Sequence, residues 1–260
     1  MKVTVFDFTG IYENESFDFC KREGFRSLFV DLKDISGTNC ICDDYAFEEI
    51  RKRIIASENT LNVQGGSGEL SFRFFDNGNY HYMSRILMNA TVPFDLVVFD
   101  HHPDMKWTSY GEILSCGCWV LSALKNISEL SRVYIVGADK ALMEEAYADN
   151  PEYKDRVFYF EDCMSLRQMF EITEDAAQSI YISVDKDVLS RDELITNWDQ
   201  GEMTLEELKE GLSFLKAHYG ENIVAVDVCG ECAPDDPDAF SEKGFDAGNR
   251  INAAIMDAFS

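Results

Sequence analysis

Histidine is scarce in this chain, with four in 260 residues, and three of the four (His81, His101 and His102) fall in turns rich in aspartate. The run FDLVVFD (94–100) reads as an apolar strand that passes straight into HHPD. That places Asp100, His102 and Asp104 at alternate positions of an extended segment, where side chains project to one side. The run IYISV (180–184) leads in the same way into Asp185-Lys186-Asp187, with its two acids again at alternate positions. A third strand-like run, Leu70–Phe75, precedes DNGNYHY, where Gly78 permits a tight turn that presents His81. Imidazole nitrogen and carboxylate oxygen are ligands that Mn²⁺, Zn²⁺ and Fe²⁺ accept. Four aspartates and two histidines suffice for two such ions, whose four positive charges the carboxylates would balance. Each piece has a plainer explanation, since Asp-x-Asp arises by chance in an acidic chain and a strand-terminal Asp can cap a helix. The scarcity of histidine makes the constellation the stronger signal. His101 should point away from His102 and is expected to be structural.

Groups of this kind need a frame. Apolar runs recur at Val3–Phe8, Ser27–Leu32, Leu70–Phe75, Leu96–Asp100, Val133–Gly137, Arg156–Phe160, Ile180–Asp185 and Ile223–Val228. They are nearly continuous in hydrophobicity, as strands buried on both faces are. Between them lie helical signals. Tyr45–Ala56 has an acidic start and a basic end, Asp139 precedes a second helix, and Thr204 with Glu207 forms a capping box for a helix to about His218. A last helix is expected over about Ala247–Phe259, and residues 57–69 read as a surface loop. The fold class is α/β: one three-layer α/β/α domain spanning 1–260, with a mostly parallel sheet of about eight strands. In such sheets functional groups gather beyond the carboxyl ends of the strands, where the motifs above fall.

Composition narrows the partners. Lys and Arg number 23 against 48 Asp and Glu, a net charge of −25, which argues against nucleic acid or anionic membrane as a partner. No stretch approaches the roughly 18 apolar residues of a membrane span. The opening MKVTVFDFTG reads as a first strand and not as a signal peptide. The eight cysteines are then most simply reduced thiols, which suggests a cytoplasmic protein.

The sequence resembles the arginase/agmatinase (ureohydrolase) superfamily, as a divergent member. The family's chain order of a Gly-rich turn with a His, then Asp-x-His-x-Asp, then Ser-x-Asp-x-Asp is read here as GNYHY (78–82), DHHPD (100–104) and SVDKD (183–187). TNWDQGEMTLEEL (196–208) is similar to the family's loop that leads through a Gly into a helix. The resemblance implies that His81, Asp100, Asp104 and Asp185 hold one ion. It implies that His102, Asp100, Asp185 and Asp187 hold the other, with Asp100 and Asp185 bridging. Two Mn²⁺ per chain are implied, with Zn²⁺, Fe²⁺ or Co²⁺ as substitutes. Two ions at roughly 3.5–4 Å can share a water and lower its pKa toward about 7, giving a bridging hydroxide. The implied reaction is hydrolysis of a non-peptide C–N bond in a small cationic guanidino, formimino or amide substrate, with Asp104 passing a proton to the leaving amine. A homo-oligomer, trimer or hexamer, is also implied.

The recognition turns depart from the family. Its usual turn histidine is replaced in SCGCWV (115–120) by Cys116, and its late-strand Glu has as candidates Asp227 or Glu231 in IVAVDVCGEC (223–232). A free thiol, with a pKa of roughly 8.5, cannot copy an imidazole near neutrality. Cys116, Asp227 and Glu231 are therefore the substrate-binding candidates, and free arginine is not the expected substrate. Tyr80 could rigidify its turn or line the pocket, and Trp107, Trp119 and Trp198 are expected mainly to pack. Two other readings stay open. One is a mononuclear zinc deacetylase-like amidohydrolase, which would leave Asp187 and His81 idle. The other is a non-catalytic or redox-sensing relative that works through Cys229 and Cys232, a CxxC pair.

Overall fold

In a computed structural model of the chain, residues 1–22, 24–60, 69–172 and 177–260 are described. Ten strands form among them: β1 (Lys2–Asp7), β2 (Arg26–Asp31), β3 (Ile41–Cys42), β4 (Ser71–Phe74), β5 (Phe94–Phe99), β6 (Leu114–Ser115), β7 (Leu130–Val136), β8 (Val157–Phe160), β9 (Ser179–Asp185) and β10 (Ile223–Cys229). Eight make one sheet in the order β2-β1-β4-β10-β9-β5-β7-β8. Every pairing in it is parallel. The remaining two, β3 and β6, form a small antiparallel ribbon too short to show in the hydrophobic pattern.

Seven helices accompany the strands: α1 (Asp44–Thr60), α2 (Met83–Leu87), α3 (Trp119–Asn126), α4 (Lys140–Asp149), α5 (Cys163–Ile172), α6 (Leu205–Tyr219) and α7 (Phe245–Asp257). The expected caps form. Asp139 accepts from Leu142 N at 3.0 Å, and Thr204 and Glu207 close a reciprocal box at the start of α6. Helix α1 runs to Thr60, four residues past the expected end, because SENT holds no Gly or Pro to stop it. The rest of the expected loop, 61–68, lies outside the described residues.

The strands are apolar throughout because each face meets a helical layer. On one face Val5, Phe72, Val97, Ile182 and Val226 pack with Leu212 of α6, Ile251 of α7 and Leu166 of α5. On the other, Phe6, Val30, Leu96, Val98 and Ile135 pack with Ile50 of α1, Val120 of α3 and Met143 of α4. Residues adjacent in a strand enter opposite layers, as the two-residue period requires. The fold is the three-layer α/β architecture with a central parallel sheet. No helix among the described residues is long and apolar enough to cross a membrane.

Candidate metal centre

The central strands β4, β9 and β5 end at one place, and each delivers part of a polar cluster. After β4, Asp76 adopts the left-handed conformation (φ 56°) and a single helical turn, Gly78–Tyr80, carries the chain to His81. Gly78 has a steric reason to be glycine: a Cβ there would lie 2.8 Å from the Trp198 ring and 3.1 Å from Asp185 Oδ2. Tyr80 stiffens the turn by stacking on Phe8, with ring centroids 4.1 Å apart. After β5 come Asp100, His102 and Asp104, and β9 ends in Asp185, followed by the turn that holds Asp187.

His81 is the hub. Its Nδ1 lies 3.1 Å from Asp100 Oδ2, 3.1 Å from Asp104 Oδ2 and 3.4 Å from Asp185 Oδ2. Its Nε2 contacts Ser183 Oγ at 2.9 Å, which fixes the ring. His102 Nδ1 lies 3.0 Å from Asp187 Oδ2 and 3.6 Å from Asp100 Oδ1. Backbone amides hold the acids in turn: His102 N donates to Asp100 Oδ1, Asp187 N to Asp185 Oδ1, and His101 N to Asp187 Oδ1. The six predicted metal-ligating residues thus converge, and three groups have ligand atoms within 4.8 Å of one another: His81/Asp100/Asp104, Asp100/His102/Asp187 and His81/Asp185/Cys229.

Four buried carboxylates with only two imidazoles are short of positive charge. Burial first, then the neighbouring Asp185 and Asp100, pushes the Asp187 carboxyl up, and burial followed by Asp100 raises Asp104 to about 7. For Asp100, burial is outweighed by hydrogen bonds from His102 and His81, and its carboxyl is held below the usual range. Burial opposes a charged His102, but its hydrogen bonds to Asp100 and Asp187 outweigh that and raise it to about 12. This mixture of hard oxygen and imidazole donors fits divalent first-row ions.

Above the cluster lies a cavity of about 170 Å³. Its floor is Asp100, His102, Asp104, Asp185 and Asp187, and its walls include Met105, Leu142, Ala146 and Trp198. Cys116 lines it; Asp227 and Glu231 do not. Glu231 is turned away because Gly230, at φ +88°, passes so close to Asp185 that a Cβ would fall 2.3 Å from Oδ1. The Glu231 carboxylate is instead fully buried against Lys186 Nζ at 2.6 Å and Asn252 Nδ2 at 2.7 Å. Asp227, also fully buried, accepts from Tyr181 and lies 3.6 Å from Arg73 Nε. At the rim, Glu145 and Asp149 of α4 join Lys106, residues the sequence reading did not single out.

Three other residues have contacts at the centre that the sequence reading did not give them. Trp119 is wholly buried and donates its Nε1–H to Asp104 Oδ2 at 2.6 Å, so it does more than pack. Cys229 Sγ donates to Asp185 Oδ2 at 3.2 Å, inside the cluster and away from any CxxC partner. Cys232 is buried in the layer of α6 and α7. Asn79 accepts from Trp198 Nε1 at 2.9 Å and ties the 196–208 loop to the His81 turn. His101 does not line the cavity, but it does not point away from His102 as expected: the two rings meet edge to face with centroids 5.2 Å apart.

Cys116 stands directly opposite Cys40 in the β3–β6 ribbon, one step beyond the Ile41–Ser115 pair, and its amide donates to Cys40 O at 2.9 Å. A hydrogen bond from the Cys116 thiol holds Cys40 down to about 7. All eight cysteines are free.

Solved structures share the fold. Agmatine ureohydrolase of Thermoplasma volcanium is 14% identical with a TM-score of 0.66, covering 99% of this chain and 89% of its own. Arginase from Bacillus caldovelox is 11% identical with a TM-score of 0.67, covering 99% and 97%. Formimidoylglutamase from Bacillus subtilis is 13% identical with a TM-score of 0.66, covering 99% and 86%. No curated protein matches the chain by sequence. At such identities the structures speak for the fold, and the family model carries membership: the Arginase family model matches residues 29–243, most of the chain, and the protein belongs to that family.

Proposed function

We propose that the protein is a binuclear metal-dependent hydrolase of guanidino or amidino C–N bonds, with manganese as the expected ion. The observation that carries this reading is the sharing of Asp100 between the groups His81/Asp100/Asp104 and Asp100/His102/Asp187, at the floor of a cavity. A mononuclear deacetylase-like site would have no use for the second group. Asp185, between His81 and Cys229, is the other candidate bridge.

Bound there, two divalent ions would act as Lewis acids and make a water nucleophilic near neutral pH. The chain supplies the rest. Ser183 and Trp119 fix His81 and Asp104 by the hydrogen bonds described above. Asp104, which lines the cavity, would take a proton and return it to the leaving nitrogen. The apolar walls, including Met105, Leu142 and Trp198, suit the flat faces and short stems of a guanidino or amidino compound and restrict water. Cys116 in place of the family's histidine, and the absence of Asp227 and Glu231 from the cavity lining, make the recognition surface unlike that for free arginine. The protein is further proposed to work as one domain, in the cytoplasm, as a homo-oligomer.

One observation bears on ion identity. Cys229 offers a soft sulfur donor beside His81 and Asp185, which makes zinc or iron the alternative to manganese at that position.

Elemental analysis of protein purified without chelators and resupplied with Mn²⁺ tests the proposal. Two ions per chain are expected, with a loss on Asp187→Ala and release of urea or ammonia from guanidino or formimino substrates. One ion per chain that is insensitive to Asp187→Ala would overturn the binuclear reading.

A further inference from the structure

A second cavity, of about 630 Å³, lies between α1 and the end of α2, where Lys2, Ser71 and Val224 mark the amino-terminal ends of β1, β4 and β10. It shares no lining residue with the metal centre. Its charge is unlike that of the chain. Lys2, Arg51, Arg73 and Arg85 line it, and no described Asp or Glu does, although acids outnumber bases 48 to 23 in the sequence.

The four bases are not equivalent. Arg73 is matched from within the fold, donating to Leu87 O at 2.9 Å and to Tyr181 Oη at 3.0 Å with Asp227 beneath it. Arg85 is only partly satisfied: its Nε is buried with no hydrogen-bond partner. Burial, and then the charge of Arg51, pushes its guanidinium pKa down. Arg51 projects from the exposed side of α1 over the Phe47 ring, with the Glu48 carboxylate no closer than 3.8 Å. Two guanidinium groups therefore repel across a cavity, and one of them keeps a buried donor unused. A buried N–H left without an acceptor is costly, and an oxyanion relieves both the repulsion and the orphaned donor. Phe47, Ile54 and Ile86 supply apolar wall beside the bases. The volume falls in the range of about 300–1,000 Å³ usual for small-molecule sites.

We propose that this cavity binds a small organic phosphate, its phosphoryl group between Arg51 and Arg85 and its apolar part against Phe47, Ile54 and Ile86. A dianion matches two forked cations where a single carboxylate matches one. The site stands independently of the reaction assigned to the metal centre.

Calorimetric titration of the purified, metal-loaded chain with phenyl phosphate, inorganic phosphate and benzoate tests it. Phenyl phosphate is expected to bind with one-to-one stoichiometry and more tightly than either of the others. Arg85→Met and Arg51→Met should each weaken it by at least about tenfold, the worth of one charge-assisted hydrogen bond. Arg51 lies on an exposed helix face, so its variant folds even if Arg85→Met does not. Asp185→Ala, which disturbs the metal centre, should leave phenyl phosphate binding unchanged. Binding lost in Asp185→Ala but kept in Arg51→Met would place the phosphate on the metals and overturn the proposal. Equal binding of benzoate would overturn the choice of a dianion, and equal binding of inorganic phosphate would overturn the apolar contact.

Discussion

Two kinds of buried acid lie along three neighbouring strands, in and after β10 and at the ends of β5 and β9. Glu231 and Asp227 are wholly buried, yet each has a cation from the fold itself, Lys186 at 2.6 Å and Arg73 at 3.6 Å. Asp100, Asp104, Asp185 and Asp187 are also buried, but they share two imidazoles among four carboxylates. Lys186 shows how the separation is made. It sits between Asp185 and Asp187 in sequence, but its side chain leaves the cluster for Glu231 and Asn252 on the other side. A cation left among the aspartates would compete with metal ions. An acid with its own cation is part of the scaffold, whereas a crowd of acids without one calls for ions from outside.

The comparison predicts opposite failures. Asp185→Ala should leave a folded protein with reduced metal content and kcat/KM lower by at least about 10³ on any substrate it turns over. Lys186→Met should instead cost about 3–5 kcal/mol of stability, because it strands the buried Glu231 charge. Chemical denaturation measures that loss, and adding Glu231→Gln should recover much of it. The distinction between the two kinds of acid fails if Lys186→Met depletes metal while leaving the denaturation midpoint unmoved. Trp119→Phe lies between these cases: it removes the donor to Asp104 without removing a ligand. It should lower metal affinity or kcat by about 10–100-fold, the usual effect of losing a ligand's hydrogen-bond partner.

The aspartates and histidines of the centre were legible because strand-end motifs are local: three short segments carry all six. The sheet was legible for a similar reason, since burial on both faces leaves unbroken apolar runs. What the sequence hid depends on which strands are neighbours. Cys229 faces Asp185 because β10 pairs with β9 in a register that sets the two opposite. Nothing in IVAVDVC states that register. Glu231 was one of two candidates, with Asp227, for the counterpart of the family's late-strand Glu. Only the close approach of Gly230 to Asp185 shows why it turns inward to Lys186. Cys40 and Cys116 are separated by 75 residues of chain and meet through a ribbon two residues wide, too short to leave a periodic signal. Metal ligation is thus written in segments, and substrate recognition in the contacts between them.

Asp76 sharpens the comparison as a third kind of buried acid, with neither a cation of its own nor a place among the metal ligands. It accepts from the backbone N–H groups of Phe8, Thr9 and Asn77 and from the Thr9 hydroxyl. Those donors favour the carboxylate, but burial outweighs them and raises its pKa from 3.8 to about 7. The folded state then keeps a proton that the unfolded state has lost between these values. Stability from this group is fully present below pH 3.8 and is lost as pH rises through about 7. Asp76→Asn removes that dependence, and the other acids cancel in the difference between variant and parent. Denaturation curves from pH 4.5 to 6.5 should therefore show the parent losing stability relative to the variant, by up to about 1.4 kcal/mol per pH unit. A difference that stays flat or rises with pH would mean that backbone donors alone hold Asp76 ionised. A buried acid in this fold would then need neither a cation nor a metal, and the crowding of the four aspartates would lose its force as a sign of bound ions.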